Sequence, residues 1–210
     1  MPTLYGVYRS RATRNFWLAN ELGIELPHVP VMQAYRNGAS GMTTTSPEFL
    51  AISPAGAIPV LVDGDLVLAE SLAINLYLAR KNGGPLAPKD AAEDALMQQW
   101  ALYGATAIEP PSVALLYAFT EGRGDSAEVA ELVQKLHRPL KVLDAHLTAH
   151  GHMVGGRFTV ADINMAEILR YAQSHPTLLA GFPAVDGWLK SCQARPAFQA
   201  MWAKRMAEPA

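Results

Sequence analysis

Ser53-Pro54-Ala55-Gly56-Ala57-Ile58-Pro59-Val60-Leu61-Val62-Asp63-Gly64-Asp65-Leu66-Val67-Leu68-Ala69-Glu70-Ser71 is the stretch on which the reading of this chain turns. Val60-Leu61-Val62 and Leu66-Val67-Leu68 are β-prone runs. Asp63-Gly64-Asp65 between them is a hairpin signal, because Asp-Gly tolerates the left-handed backbone of a tight turn. Pro59 stands at the first position of the leading run, where a strand accepts proline on an edge, and a cis bond would place it in a tight turn. From Ser71 a helix is expected through Leu72, Leu76 and Tyr77 to Arg80.

Upstream, Leu4-Tyr5-Gly6-Val7-Tyr8 is a short apolar run suited to a buried strand. Ser10 sits where a helix N-cap would, Phe16, Trp17, Leu18 and Leu22 form a broad apolar face, and Gly23 stops the helix. His28 to Met32, with Val29 and Val31 alternating, reads as a second strand, so strand–helix–strand implies a parallel right-handed crossover. Ser46-Pro47-Glu48-Phe49-Leu50 opens a short helix with proline at its first position. The order strand, helix, strand, short helix, hairpin, helix is the connectivity of a thioredoxin-like domain, although order alone leaves other α/β arrangements open.

Downstream the chain reads as helix. All six lysines lie at Lys81 or beyond, and Asn82-Gly83-Gly84-Pro85-Leu86-Ala87-Pro88 combines helix-stopping glycines with prolines. The expected organisation is a thioredoxin-like domain over 1–81, a linker over 82–88 and an all-helical domain over 89–210. With 50% hydrophobic and 17% charged residues among 210, the chain is no disordered segment. A formal charge of -2 lacks the basic excess of a nucleic-acid binder, and no apolar run reaches the roughly 20 residues of a membrane span. Cys192 is the only cysteine, which excludes intrachain disulfides, CxxC pairs and cysteine-rich zinc sites. The N-terminal residues lack the pattern of a signal peptide, and a cytoplasmic location is expected.

Five segments, in order, resemble the cytosolic glutathione S-transferases, and serine-type bacterial members among them. They are Leu4-Tyr5-Gly6 with Ser10-Arg11-Ala12-Thr13-Arg14; Ser53 to Leu61; Glu70-Ser71-Leu72-Ala73-Ile74; Gly155-Gly156-Arg157-Phe158-Thr159-Val160-Ala161-Asp162-Ile163; and Pro183-Ala184-Val185 with Trp188 and Arg195-Pro196-Ala197-Phe198. The resemblance implies that family's fold, an α/β N-terminal thioredoxin-like domain plus an all-α C-terminal domain. It also implies a cytoplasmic homodimeric enzyme of detoxification that binds glutathione as cosubstrate, holds no covalently bound cofactor and presents the thiolate to a small hydrophobic electrophile or a peroxide. A non-catalytic interaction module of the same fold, and a glutathione-dependent isomerase or disulfide reductase, are the alternatives. Read on its own, Thr159 followed by Asp162 is a capping box, a structural device.

By the same resemblance Ser10 is the donor that stabilises the glutathione thiolate, with Arg11, Tyr5, Tyr8 and Thr13 in reserve on the same loop. The chemistry asks for a drop of about two pKa units, worth about 2.7 kcal/mol. Arg9, Arg11 and Arg14 stand around Ser10. Glu70 and Ser71 are expected to hold the γ-glutamyl end, because a helix N-terminus offers amides and a hydroxyl to a carboxylate. Ile58 would pair its backbone with the cysteinyl part and Pro59 would position it. Ala57 stands where many members carry lysine or glutamine, and Thr43-Thr44-Thr45 where many carry basic or polar residues. Arg36 or a threonine is then the expected contact of the glycyl carboxylate.

Met97, Trp100, Tyr103, Gly104 and Ala107 recur at helical spacing, and Tyr103, Ala107 and Tyr117 are the candidates for the second-substrate pocket. Glu109-Pro110-Pro111 is expected to end or kink that helix, while Pro139 bends or starts another. His146, His150 and His152 have partial metal-ligand spacing without a matching carboxylate motif, so no metal is expected. The partners that the resemblance implies are glutathione and a small hydrophobic electrophile, and charge and hydropathy lead us to expect no nucleic acid and no membrane.

Overall fold

Leu4 of β1 (Thr3–Tyr5) lies opposite Leu61 of β3 (Val60–Asp63) in an antiparallel ladder, and both are fully buried. The computed structural model describes residues 1–36, 38 and 41–209. β3 pairs antiparallel with β4 (Leu66–Ala69) across the expected hairpin, and β1 pairs parallel with β2 (His28–Val29), giving the strand order β2-β1-β3-β4. Period-two alternation sends Leu4 and Leu61 to one face. Tyr5 and Val60 go to the other, where they meet Val31 and Phe49 of α2 (Pro47–Ile52). Helices α1 (Thr13–Leu22) and α3 (Ser71–Asn82) pack against each other, and α3 also packs on β3 and β4.

Two expectations in this region change. β2 is shorter than the run His28 to Met32, because Pro30 has no amide to donate; Met32 turns instead to the 42–44 segment, donating to Met42 O at 3.0 Å and accepting from Thr44 N at 2.9 Å. Ser10 is not the cap of α1. That helix starts at Thr13 with Ala12 at the cap position, and Ser10 Oγ accepts from Ala12 N two residues earlier than a cap would act. Gly23 ends α1 in the left-handed conformation as expected.

The chain divides into two compact units, Met1–Asn82 with Pro196–Ala210, and Gly83–Arg195. The first unit thus includes α9 (Pro196–Ala207), which differs from an all-helical domain running over 89–210. The reason is apolar: Phe198 and Met201 are buried, the Phe198 ring meets Trp17 edge-on at 4.9 Å, and Asn20 Nδ2 donates to Ala197 O at 3.0 Å. The stretch 82–88 is likewise no free linker. Leu86 and Ala87 are buried, Leu86 O accepts from Val160 N, and Arg157 donates to Pro85 O and Ala87 O.

The second unit is helical: α4 (Ala91–Tyr103), a π-helical turn over Gly104–Ile108, α5 (Glu109–Thr120), α6 (Ala127–His150), α7 (Val160–Leu169) and α8 (Pro183–Gln193). Pro110 and Pro111 occupy the first positions of α5, where their missing amides cost nothing. Pro139 lies inside α6 and neither starts nor ends it. A seam of Leu132, Leu136, Leu140, Leu143 and Leu147, all buried, carries the helix through the lost hydrogen bond. Every residue of α7 is buried, and Asp162 at its start closes the capping box, accepting from Thr159 N at 2.9 Å and Thr159 Oγ1 at 3.1 Å. The same carboxylate also accepts from Met153 N at 3.1 Å and Trp188 Nε1 at 2.9 Å.

Asp162→Ala strands several buried donors at once, so it should cost about 3–5 kcal/mol, read as a Tm lower by roughly 6–15 °C; a fall below about 2 °C would refute this role. Glu93, buried in α4, binds Arg157 at 2.8 Å, and that guanidinium, followed by the Lys89 amide, holds its carboxyl down at about 2. A depressed carboxyl stabilises the fold above its unfolded pKa and loses that contribution as pH falls through the folded one. Unfolding of the wild type should therefore ease as pH falls from about 4.5 towards 2, and Glu93→Gln should flatten that slope.

Candidate functional site

The loop from β1 to α1 is drawn against the start of β3 by the absence of a side chain at Gly6. A Cβ there would stand 3.2 Å from Ala12 Cβ and 3.7 Å from Pro59 Cα. Ser10, half-buried in this loop, donates from Oγ to Val7 O at 2.6 Å and accepts from Ala12 N at 3.1 Å. Thr13 is fully buried and donates to Ser10 O at 3.1 Å, so it braces the loop from within. Tyr8 stacks on Phe16 with ring centroids 3.9 Å apart, and Tyr5 packs near Phe49. Arg11 is exposed.

Across from this loop the Ile58-Pro59 bond is cis. Pro59 is buried, Ile58 packs beside the Val31, Phe49 and Val60 cluster, and Ser53 Oγ donates to Ala57 O at 3.4 Å. Gly56 is required two residues before Ile58: its φ is +58°, and a Cβ would meet Thr44 O at 2.9 Å. Ile58 itself lies just ahead of the ladder in which Val60 pairs with Tyr5 and Ala69.

Ser71 opens α3 and is buried, while Glu70 before it is exposed and holds φ at +66°, a left-handed backbone unusual for a glutamate. Beneath them lies a polar joint between α1 and α3. Arg14 Nη1 donates to Ser71 Oγ at 3.0 Å, Asn15 Nδ2 donates to Ser71 O at 2.9 Å and Asn75 Oδ1 at 2.7 Å, and Asn75 Nδ2 donates to Arg14 O at 3.1 Å. A serine oxygen that accepts from Arg14 still has its own hydrogen to give. Arg14 is therefore not one of several surface cations around Ser10, as its place in the sequence suggested. It is buried, and it links the Ser10 helix to the Ser71 helix.

Arg36 donates to Arg9 O, next to Ser10 in the chain, while Thr44 Oγ1 accepts from Ala34 N at 3.1 Å. The remaining sequence-predicted residues stand in the second unit. Tyr103, half-buried at the end of α4, meets Trp100 edge-on at 5.6 Å, and burial pushes its phenol pKa up while Arg138 acts the other way. Ala107 follows in the π-helical turn, and Tyr117 is exposed on α5. His146 bonds Met153 O and packs tilted against Trp100 at 4.5 Å between ring centroids, and His152 lies 3.4 Å from Asp162. Among the described residues no three potential ligands cluster as a metal site would require.

A family model described as "Glutathione S-transferase, N-terminal domain" matches residues 4–86, and one described as "Glutathione S-transferase, C-terminal domain" matches residues 96–196. Glutathione S-transferase 3 of Zea mays is 34% identical over 211 residues, spanning 93% of this chain and 90% of that one. This chain belongs to the glutathione S-transferase family. Two solved structures agree in fold. Glutathione transferase F7 of Populus trichocarpa superposes with a TM-score of 0.82 at 25% identity, covering 98% of this chain and 99% of that one. The theta class glutathione S-transferase of Xanthomonas axonopodis pv. citri, solved with glutathione bound, gives 0.81 at 28% identity and 95% coverage of both. As a member of the family this chain is a glutathione transferase.

In this glutathione S-transferase, Ser10, Ile58, Pro59, Glu70 and Ser71 all fall in the first unit. The bracing by Thr13, the Arg14–Ser71 link and the hold on Tyr8 and Arg9 described below were not read from sequence. Each depends on partners more than 50 residues away or on burial of a residue type that is ordinarily exposed, and no local pattern marks them. The left-handed backbone at Glu70 generates a stability prediction. Glu70→Gly should be more stable than Glu70→Ala by about 1 kcal/mol, because only alanine keeps the strain. Chemical denaturation of the two variants checks it, and equal midpoints would contradict it.

Proposed function

We propose that Ser10 donates its hydroxyl hydrogen to the sulfur of bound glutathione and holds it as the thiolate. The supporting observation is that Ser10, the Ile58-Pro59 bend and the Glu70-Ser71 helix start belong to one unit, tied by Gly6 packing on Pro59 and by Arg14 reaching from α1 to Ser71. The hydrogen that Ser10 now gives to Val7 O turns to the sulfur when the ligand arrives. A hydrogen bond to a charged group contributes about 1.5–3 kcal/mol, and a nearby helix N-terminus about 0.3–1 kcal/mol more. Together they match the roughly 2.7 kcal/mol that a two-unit drop of the thiol requires.

In this reading Ser71 binds the γ-glutamyl carboxylate with its amide and hydroxyl, and exposed Glu70 meets the amino group. Ile58 pairs its backbone with the cysteinyl part, Pro59 fixes that backbone, and Arg36 with the Thr43–Thr45 segment faces the glycyl carboxylate. The thiolate then attacks a small hydrophobic electrophile or a peroxide. Catalysis is orientation and electrostatic stabilisation of the nucleophile. We also propose a cytoplasmic homodimer. Leu66 and Val67 on the edge strand β4, and Leu96 and Leu102 on α4, are exposed apolar side chains of the kind a partner covers.

Titrating reduced glutathione during thermal unfolding tests the binding. At ten times Kd the ligand should stabilise by about 1.4 kcal/mol and raise Tm by roughly 3–6 °C. No shift up to about 10 mM would leave the interaction-module reading in its place. Ser10→Ala should keep that shift while lowering kcat/KM with a model aryl halide by about 10- to 100-fold and moving the thiol ionisation to higher pH. A wild-type rate in that variant would remove Ser10 from the mechanism.

A further inference from the structure

Tyr8 and Arg9, the two residues before Ser10, have every backbone polar group engaged by side chains distant in sequence. Tyr8 N donates to Glu208 Oε1 at 3.0 Å and Arg9 N to Glu208 Oε2 at 2.6 Å, so one carboxylate spans both amides. Arg9 Nε returns a bond to Glu208 O at 2.7 Å, and Arg205 Nη1 donates to Tyr8 O at 2.7 Å. On the other side Arg9 O accepts from Arg36 and, at 3.5 Å, from Gln33 Nε2. Glu208 is itself fixed, since its amide continues the last turn of α9 with a 3.1 Å bond to Lys204 O, and α9 is packed on α1 through Phe198 and Trp17.

These bonds enclose the turn that carries Ser10. The Ser10 Oγ–Val7 O bond closes a loop whose two middle residues are Tyr8 and Arg9. Holding those two peptide units therefore fixes where the Ser10 hydroxyl stands. The cations beside this turn are Arg9, whose Nε bonds the Glu208 backbone carbonyl, Arg205, which bonds Tyr8 O, and Lys204, which lies 5.8 Å over the Tyr8 ring. His28, edge-on to Tyr8, is pushed below its ordinary pKa, first by burial, with Glu208 raising it and Lys204 lowering it. With one oxygen on each of the two amides, the carboxylate acts on the loop as a bidentate acceptor.

We infer that Glu208 is a positioning residue for Ser10: its carboxylate clamps the Tyr8 and Arg9 amides and sets the hydroxyl where the glutathione sulfur is stabilised. This rests on the reading of Ser10 given above. Loss of negative charge alone would favour a nearby thiolate, whereas loss of the clamp disfavours it, so the two effects move the thiol in opposite directions.

The test uses the full chain and an aryl halide, with rate followed against pH at saturating glutathione and KM for glutathione measured alongside. Glu208→Ala should lower kcat about three- to tenfold and shift the thiol ionisation to higher pH, with KM for glutathione unchanged. Glu208→Gln keeps one acceptor for the two amides and should fall between wild type and alanine. It also serves as the readout if the alanine variant does not fold. In a Ser10→Ala background, Glu208→Ala should add no further loss. A lower Tm with an unchanged pH profile and kcat would reduce Glu208 to a stabilising residue and overturn the inference. So would an ionisation moved to lower pH in both variants, or an undiminished loss in the Ser10→Ala background. Failure of the Ser10 reading shows separately, as a silent Ser10→Ala variant, and takes this inference with it.

Discussion

The buried joint between α1 and α3 is the constraint on which the first unit depends. Arg14, Asn15, Ser71 and Asn75 are nearly inaccessible to water, and each is costly to bury without partners. They bond one another at 2.7–3.1 Å in a geometry that ties the two helices to one relative placement. Apolar packing alone tolerates small slips, but this network does not. It fixes the register between the helix after the Ser10 loop and the helix whose first residue is Ser71. The Ser10 loop and the start of α3 at Ser71 are thereby held at a set spacing.

Strain and burial are distributed around that joint in a consistent way. Glu70 accepts an unfavourable backbone so that its side chain stays exposed while Ser71 goes inside. Gly6 and Gly56 give up side chains where backbone from another segment passes closely. On the far side of the loop, the carboxylate of Glu208 saturates amides that would otherwise compete for water or for Ser10 itself. The second unit solves its own problem with Asp162, which answers four donors around the start of a wholly buried helix.

What was legible in the sequence was whatever short-range physics decides. The Asp-Gly hairpin, the Thr159 to Asp162 capping box, the stop at Gly23 and the start at Ser71 depend on neighbours within four residues, and they stand where they were expected. Ser10 misled because a serine before an apolar run looks like a helix cap, whereas here its hydroxyl closes a turn that opens three residues earlier, at Val7. Pro30 cut β2 short, although the valines around it alternate as a strand would. The burial of Arg14 and the grip of Glu208 were invisible because they join positions 57 and about 200 residues apart. No spacing rule reaches that far.

The membership of α9 in the first unit has a consequence for how the chain is made. Synthesis delivers Met1–Asn82 first, but Trp17 and the Tyr8–Arg9 turn receive their partners only when residues beyond Pro196 emerge. Until then the newborn segment carries an uncovered indole and two unanswered amides, while the helical unit, contiguous in sequence, has everything it needs to condense. The first unit is thus interrupted along the chain, and the helix that covers Trp17 and answers the Tyr8–Arg9 turn is separated from them by the whole length of the helical unit.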